Sequence, residues 1–184
     1  MSKSNQIRIN AGIWRSRVLK FPDAAGLRPT PDRVRQTVFN WLGQELHGLS
    51  SLDLFAGSGV MGFEALSRGA KQAVMIEKSA LAYQFLMQNK TLLKADAAQI
   101  IQTDALLFLV KNQLKFDIIF CDPPYEQGWL NKLLPQLPEH LVEDGFLYVE
   151  TEYALNAADG FDIIKHGRAG SVYYHLLKVA HTSV

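Results

Sequence analysis

The stretch Ser51-Leu52-Asp53-Leu54-Phe55-Ala56-Gly57-Ser58-Gly59 decides how the rest of the chain is read. Its apolar residues make a short strand, and Ala56 to Gly59 turn that strand into a helix carrying Met61, Phe63, Ala65 and Leu66. The same unit recurs downstream. Residues 73–77 (AVMIE) read as a second strand and 80–94 as a second helix. Residues 98–103 (AQIIQT) read as a third strand, with a helix over 105–112. Residues 116–121 (FDIIFC) are apolar enough for the centre of a sheet, 130–138 form a helix, and 146–150 (FLYVE) a fifth strand. Residues 162–165 and 172–179 close the chain as an antiparallel pair. Strands alternating with helices predict an α/β fold, a mostly parallel sheet with helices on both faces.

Working back from residue 51, the pattern changes. Ile7, Ile9, Ile13, Val18, Leu19 and Phe21 around Ala11-Gly12 predict a short β-hairpin over 7–21. Pro22, Gly26, Pro29 and Pro31 make 21–31 a loop. Val34, Val38, Phe39, Trp41 and Leu42 mark a helix that Thr30 or Asp32 can cap and that ends near Gly43 or Gly48. The chain therefore divides into an N-terminal hairpin-and-helix extension, 1–47, packed on a main domain, 48–184.

Composition bounds the function. The 184 residues are 48% hydrophobic and 20% charged, ordinary for a globular protein. No apolar run approaches a membrane span, and residues 1–8 do not resemble a signal peptide, so a cytoplasmic protein is expected. The single cysteine excludes an internal disulfide, and the five histidines lack metal-ligand spacing, so no metal is expected. The net charge of +1 hides an asymmetry. Residues 1–47 carry eight Lys/Arg against three acids, and 48–184 eleven against fifteen, giving +5 and −4. A basic arm on an acidic body suggests contact with a polyanion, although a solvated basic face reads the same way.

In an open α/β sheet, ligands bind beyond the carboxyl ends of the strands. The first strand leads through Asp53 and Phe55 into Gly57 and Gly59, where backbone can approach a ligand. The second ends in Glu77, suited to a ribose diol, and the third leads to Asp104 and Ala105, placed to address an adenine edge. A Gly-rich turn alone is weak, because any tight strand-to-helix connection explains it. Three strand ends carrying Gly-x-Gly, Glu and Asp specify a nucleoside site. The fourth strand ends in Asp122-Pro123-Pro124-Tyr125. Asp122 and the Pro123 carbonyl can accept both hydrogens of an exocyclic amine, and Tyr125 can stack on the ring that bears it. The bland reading is a Pro-Pro loop with Asp122 as a cap.

DLFAGSG (53–59) together with DPPY (122–125) resembles the class I amino-methyltransferases, which use S-adenosylmethionine and release S-adenosylhomocysteine. The whole chain resembles the family of 16S ribosomal RNA guanine-N2 methyltransferases. The hairpin IRINAGIWRSRVLKFP (7–22), the segment RPTPDRVR (28–35) and EALSRGA (64–70) carry that resemblance, 28–35 most specifically. Gln36 departs from the family's usual Glu, and Val60-Met61 also departs. The resemblance implies a Rossmann-like, seven-stranded sheet with six parallel strands and one antiparallel. It implies a guanine in small-subunit 16S rRNA as the target, flipped onto Tyr125, with Asp122 and Pro123 holding N2. It implies phosphate contacts for Arg15, Arg17, Arg28, Arg33 and Arg35, with Thr30 beside them. For Arg33 and Arg35 the alternative is bracing the fold, and for Thr30 a helix cap. Nothing calls for a dimer, so a monomer is expected.

Competing readings are discriminable. A nicotinamide-dependent oxidoreductase shares Glu77 and the letters Gly57-x-Gly59-x-x-Gly62 but leaves DPPY unexplained. A non-catalytic RNA-binding module has no need of intact strand ends. Adenine-N6 enzymes also suit DPPY, and only the N-terminal segment favours guanine.

Overall fold

The computed structural model describes residues 4–125 and 128–180. Strands β1 (Ser4–Arg8) and β2 (Val18–Pro22) pair antiparallel, and α1 (Asp32–Trp41) follows. The alternating body is β3 (Ser50–Asp53), α2 (Val60–Ser67), β4 (Gln72–Glu77), α3 (Ala80–Leu93), β5 (Ala98–Gln102), α4 (Ala105–Lys111) and β6 (Phe116–Cys121). A short α5 (Trp129–Leu133) and a 3₁₀ turn (Leu137–His140) precede β7 (Leu141–Thr151), β8 (Phe161–Ala169) and β9 (Val172–Val179).

Seven strands lie in the order β5-β4-β3-β6-β7-β9-β8. β5, β4, β3, β6 and β7 pair in parallel, while β9 runs antiparallel to both β7 and β8. Six strands therefore point one way and β9 the other, the architecture expected. Period-two alternation divides the apolar side chains between two faces. On one face Met75, Ile118, Phe120 and Tyr148 pack with α1, α2 and α3. On the other Val74, Ile119, Cys121, Leu147 and Val149 pack with α4, α5 and Leu137. The N-terminal segment shares the first core, contributing Ile9, Leu19, Val34, Val38 and Phe39.

Three local expectations are corrected. The N-terminal hairpin does not turn tightly at Ala11-Gly12; residues 9–17 make an excursion between the paired strands, and Gly12 (φ +82°) lies against α2. A Cβ at Gly12 would stand 1.8 Å from the Ser67 carbonyl oxygen, so only glycine fits. The helix read over 130–138 ends at Leu133, because Pro135 has no N–H to continue it, and a 3₁₀ turn resumes at Leu137. The fifth strand begins at Leu141 rather than 146, with pairing offset between Phe116↔Leu141 and Ile118↔Phe146.

The excursion is fastened by polar groups of α2. Glu64 accepts the amides of Asn10 (2.8 Å) and Ala11 (3.0 Å) and pairs with Arg68 (3.0 Å). The Ser67 hydroxyl donates to the Ala11 carbonyl at 2.6 Å and accepts the Trp14 amide at 2.9 Å. On α3, Asn89 bonds both the amide and the carbonyl of Lys20. These contacts give physical content to the segment EALSRGA, whose acid and serine receive the hairpin.

Candidate active site

The chain order reverses beside β3: β4 and β5 build outward on one side, and β6 and β7 on the other. The crevice above the carboxyl ends of β3 and β6 is therefore the switch point where ligands of such sheets bind. Asp53 pairs in register with Phe120, and the Leu54 amide donates to the Phe120 carbonyl at 3.1 Å. The glycine turn and DPPY thus leave the sheet side by side.

Gly57 (φ +52°) and Gly59 (φ +77°) both take the left-handed conformation that lets the chain enter α2 so sharply. A Cβ at Gly59 would meet Leu86 and Phe63, and one at Gly62 would meet Met75. The third glycine of the letter pattern is thus a packing residue that lets α2 sit close on β4. Glu77 accepts the Gly57 amide through Oε2 (2.9 Å) and the Ser79 amide through Oε1 (2.7 Å). It ties the turn to the end of β4. Asp104 caps α4, accepting the Leu106 amide at 2.9 Å, and meets Lys78 at 3.3 Å. Its carboxyl is held below the usual range against the burial that opposes this, with Lys78 as the largest favourable cause. Ala105 follows, buried in the first turn of α4.

Asp53, Asp122 and Glu150 form a group of acids at the ends of β3, β6 and β7. Among the described residues none of the three pairs with Lys or Arg. Burial pushes Asp53 up to about 7; backbone hydrogen bonds from Phe55 and Gly62 resist the shift, and Glu77 adds to it. Asp122 is also raised well above the carboxylate range, by burial and then by the charges of Glu150 and Asp53. Tyr125 is partly exposed on the loop, its hydroxyl pushed up to about 12 by desolvation and by Asp122 and Glu150. Phe55 meets Trp129 edge-on, ring centroids 5.3 Å apart, on the flank of the same loop. Cys121 is buried and its thiol raised, so it packs as an apolar side chain.

Glu150 was not singled out from the sequence. It ends FLYVE as Glu77 ends AVMIE, and an acid closing an apolar strand was the available signal. Its Oε1 accepts the hydroxyls of Thr30 (2.5 Å) and Tyr148 (2.9 Å). Thr30 therefore does not cap α1: Pro31 occupies that position, with no side-chain cap, and the threonine is buried against β7. The two arginines part company as well. Arg33 is exposed, whereas Arg35 is fully buried and donates to the carbonyls of Thr30 and Arg8, to Asn10 and to Asp32. Arg35 braces the fold and is not on a surface that RNA can reach. Arg15, Arg17 and Arg28 are exposed; Arg17 donates to the Leu92 carbonyl at 3.2 Å. The charge of Arg28 opposes the upward shift of the Tyr125 hydroxyl.

Comparison with known proteins converges on one assignment. Residues 7–178 match the model of the family described as "Conserved hypothetical protein 95". Ribosomal RNA small subunit methyltransferase D of Escherichia coli K12 is 44% identical over 153 residues, covering 82% of this chain and 77% of the relative. The chain belongs to this methyltransferase family. The Haemophilus influenzae relative of the same name is 39% identical over 179 residues, 93% of both chains. The solved structure of yhhF from Escherichia coli superposes with a TM-score of 0.85 at 38% identity, covering 95% of this chain and 98% of that one. The fold is that of the class I methyltransferases, as the family resemblance implies. Among the described residues no helix is long and apolar enough to cross a membrane.

Proposed function

We propose that this protein transfers a methyl group from S-adenosylmethionine to the exocyclic N2 amine of a guanine in 16S rRNA. The observation that carries the reading is the pairing of a glycine turn with Asp122, a carboxylate with no cationic partner among the described residues, both at the switch point of the sheet. The residues fit the cofactor. Asp53 is buried with no basic partner among the described residues, which favours a positively charged ligand, and S-adenosylmethionine carries a sulfonium and an ammonium. Asp53, Phe55, Gly57 and Gly59 would hold its methionine part, Glu77 its ribose, and Asp104 with Ala105 its adenine. When bound, it supplies an electrophilic methyl group.

The chain's own residues would prepare the acceptor. Asp122 and the Pro123 carbonyl accept the two hydrogens of the guanine amine, which aims its lone pair out of the ring plane. Tyr125 stacks on the flipped base. No strong base is needed beforehand, since the amine sheds its proton after the new N–C bond forms. Rate comes from positioning and from the field of Asp122 on the positive charge that develops at nitrogen. Arg15, Arg17, Arg28 and Arg33 would hold phosphates, orienting the substrate without reading its sequence. The relatives named for small-subunit rRNA support a ribosomal target, in a finished subunit or an assembly intermediate, met by a monomer in the cytoplasm. Residues 1–47 would act as the RNA-facing extension and 48–184 as the methyltransferase domain.

The test is methyl transfer from labelled S-adenosylmethionine to undermethylated small subunits, followed by nucleoside analysis. Label in N2-methylguanosine, lost in Asp122→Ala, is expected. Label in N6-methyladenosine would keep the chemistry and replace the base. No label on subunits, naked RNA or DNA would turn attention to protein substrates.

A further inference from the structure

Glu150 lies outside the DPPY loop, yet the sheet sets it beside that loop. Cys121 and Val149 are register partners in the parallel pair β6–β7, so Asp122 and Glu150 follow at neighbouring positions. Adjacent strands stand about 5 Å apart, so the two carboxylates share one end of the crevice. Tyr148 and Glu150 are two residues apart on one strand and face the side covered by α1 and by Thr30.

The hydrogen bonds of Glu150 are one-sided. Both hydroxyl donors, Thr30 and Tyr148, fall on Oε1, and no described residue donates to Oε2. Thr30 is itself held by the guanidinium of Arg35, which donates to its carbonyl at 2.9 Å. The carboxylate is thus fixed in rotation with one oxygen unspent. Its charge reaches both Asp122 and Tyr125, the two groups expected to touch the base.

Resting on the proposed guanine chemistry, we infer that Glu150 reads the base: its Oε2 accepts the N1–H of guanine while Asp122 accepts from N2. Guanine carries these two donors side by side on its Watson–Crick edge, and two neighbouring carboxylates match them. Adenine presents a lone pair at N1 beside its amine, which would face Oε2 with like polarity. The DPPY loop alone accepts either amine; Glu150 supplies the difference. Sites built to bond a particular N–H discriminate strongly against analogues without it. Thr30 and Tyr148 act as positioning residues, since they set the rotation of Glu150 and do not themselves reach N1.

The experiment uses small subunits reconstituted with 16S rRNA bearing guanine or 2-aminopurine at the nucleotide mapped in the labelling assay. 2-Aminopurine keeps the N2 amine and lacks N1–H. Wild-type protein should prefer guanine by about 100-fold in kcat/KM. In Glu150→Gln, the amide oxygen can still accept from Thr30 and Tyr148, and its –NH2 then faces N1. Guanine turnover should fall by about 100-fold and 2-aminopurine turnover should not, so the preference collapses, with cofactor affinity unchanged. Equal losses on both bases would make Glu150 a structural residue and overturn the inference. So would a wild-type enzyme that methylates 2-aminopurine as well as guanine, a result that needs no variant to fold. A wild-type enzyme that labels no guanine at all overturns the underlying reading and this inference with it.

Discussion

Glu64 and Glu150 are both buried glutamates, and the fold treats them in opposite ways. Glu64 has every need met: two backbone amides, and the guanidinium of Arg68, which also lies over the Phe39 ring. Glu150 accepts two hydroxyls and Asp53 two backbone amides, and neither they nor Asp122 pair with a cation among the described residues. The first acid joins the N-terminal excursion to α2 and is complete as it stands. The second group is left open: on the proposed reading Asp53 gains when a positive ligand arrives, while Asp122 and Glu150 keep oxygens for the donors of a base. Burial of an acid therefore says little about its role until its partners are counted.

Substitutions can break or sharpen that contrast. The largest effect belongs to Asp122→Ala, which should lower kcat by about 10³-fold while cofactor affinity stays within a few-fold. Parallel losses of rate and cofactor affinity would move Asp122 from the amine to the cofactor. Next comes Glu64→Ala, which strands Arg68 as a buried, unpaired charge. Stability should drop by about 3–5 kcal/mol, read as a fall in Tm of about 10 °C. A drop under about 1 kcal/mol would mean that the excursion is not anchored there.

Asp53→Asn should act with the opposite sign on stability. An acid whose folded pKa is raised costs nothing below its unfolded value of 3.8; the cost grows as pH rises and is complete above about 7. The amide variant should therefore be more stable by up to about 4 kcal/mol at pH 8, with the gain gone near pH 4, and should bind cofactor more weakly. A gain independent of pH would assign it to packing. The smallest effect is Arg33→Glu, expected to weaken RNA binding several-fold, with the salt slope reduced by about one counterion. Salt titration of Arg35→Ala provides the contrast: its loss should appear in Tm first.

The positions that could be read from sequence were those where an apolar strand stops at a chemically informative residue. Asp53, Glu77, Asp104 and Asp122 all have that form, and the parallel sheet puts them at one end for a topological reason. Glu150 has it too and went unread, because its meaning depends on β7 lying next to β6. Thr30 and Arg35 were less legible still. A threonine before Pro-Asp has the look of a cap, and only the meeting of residue 30 with residue 150 removes it from that role. An arginine near a basic arm looks like a phosphate contact until Arg8, Asn10 and Thr30 are seen folded around it. The wide excursion 9–17 depends on Glu64 and Ser67, more than fifty positions away.

Glu77 carries a last consequence. A free glutamate samples many rotamers, and immobilising one costs up to about 2 kcal/mol of conformational entropy. Here both oxygens are already occupied by the Gly57 and Ser79 amides, so that loss is incurred as the chain folds. On the proposed reading, a nucleoside reaching the end of β4 would meet an acid with no orientations left to surrender, and association there would resemble the docking of rigid bodies. Shortening the side chain by one methylene, as in Glu77→Asp, would return the missing disorder to both the acid and the glycine turn it steadies.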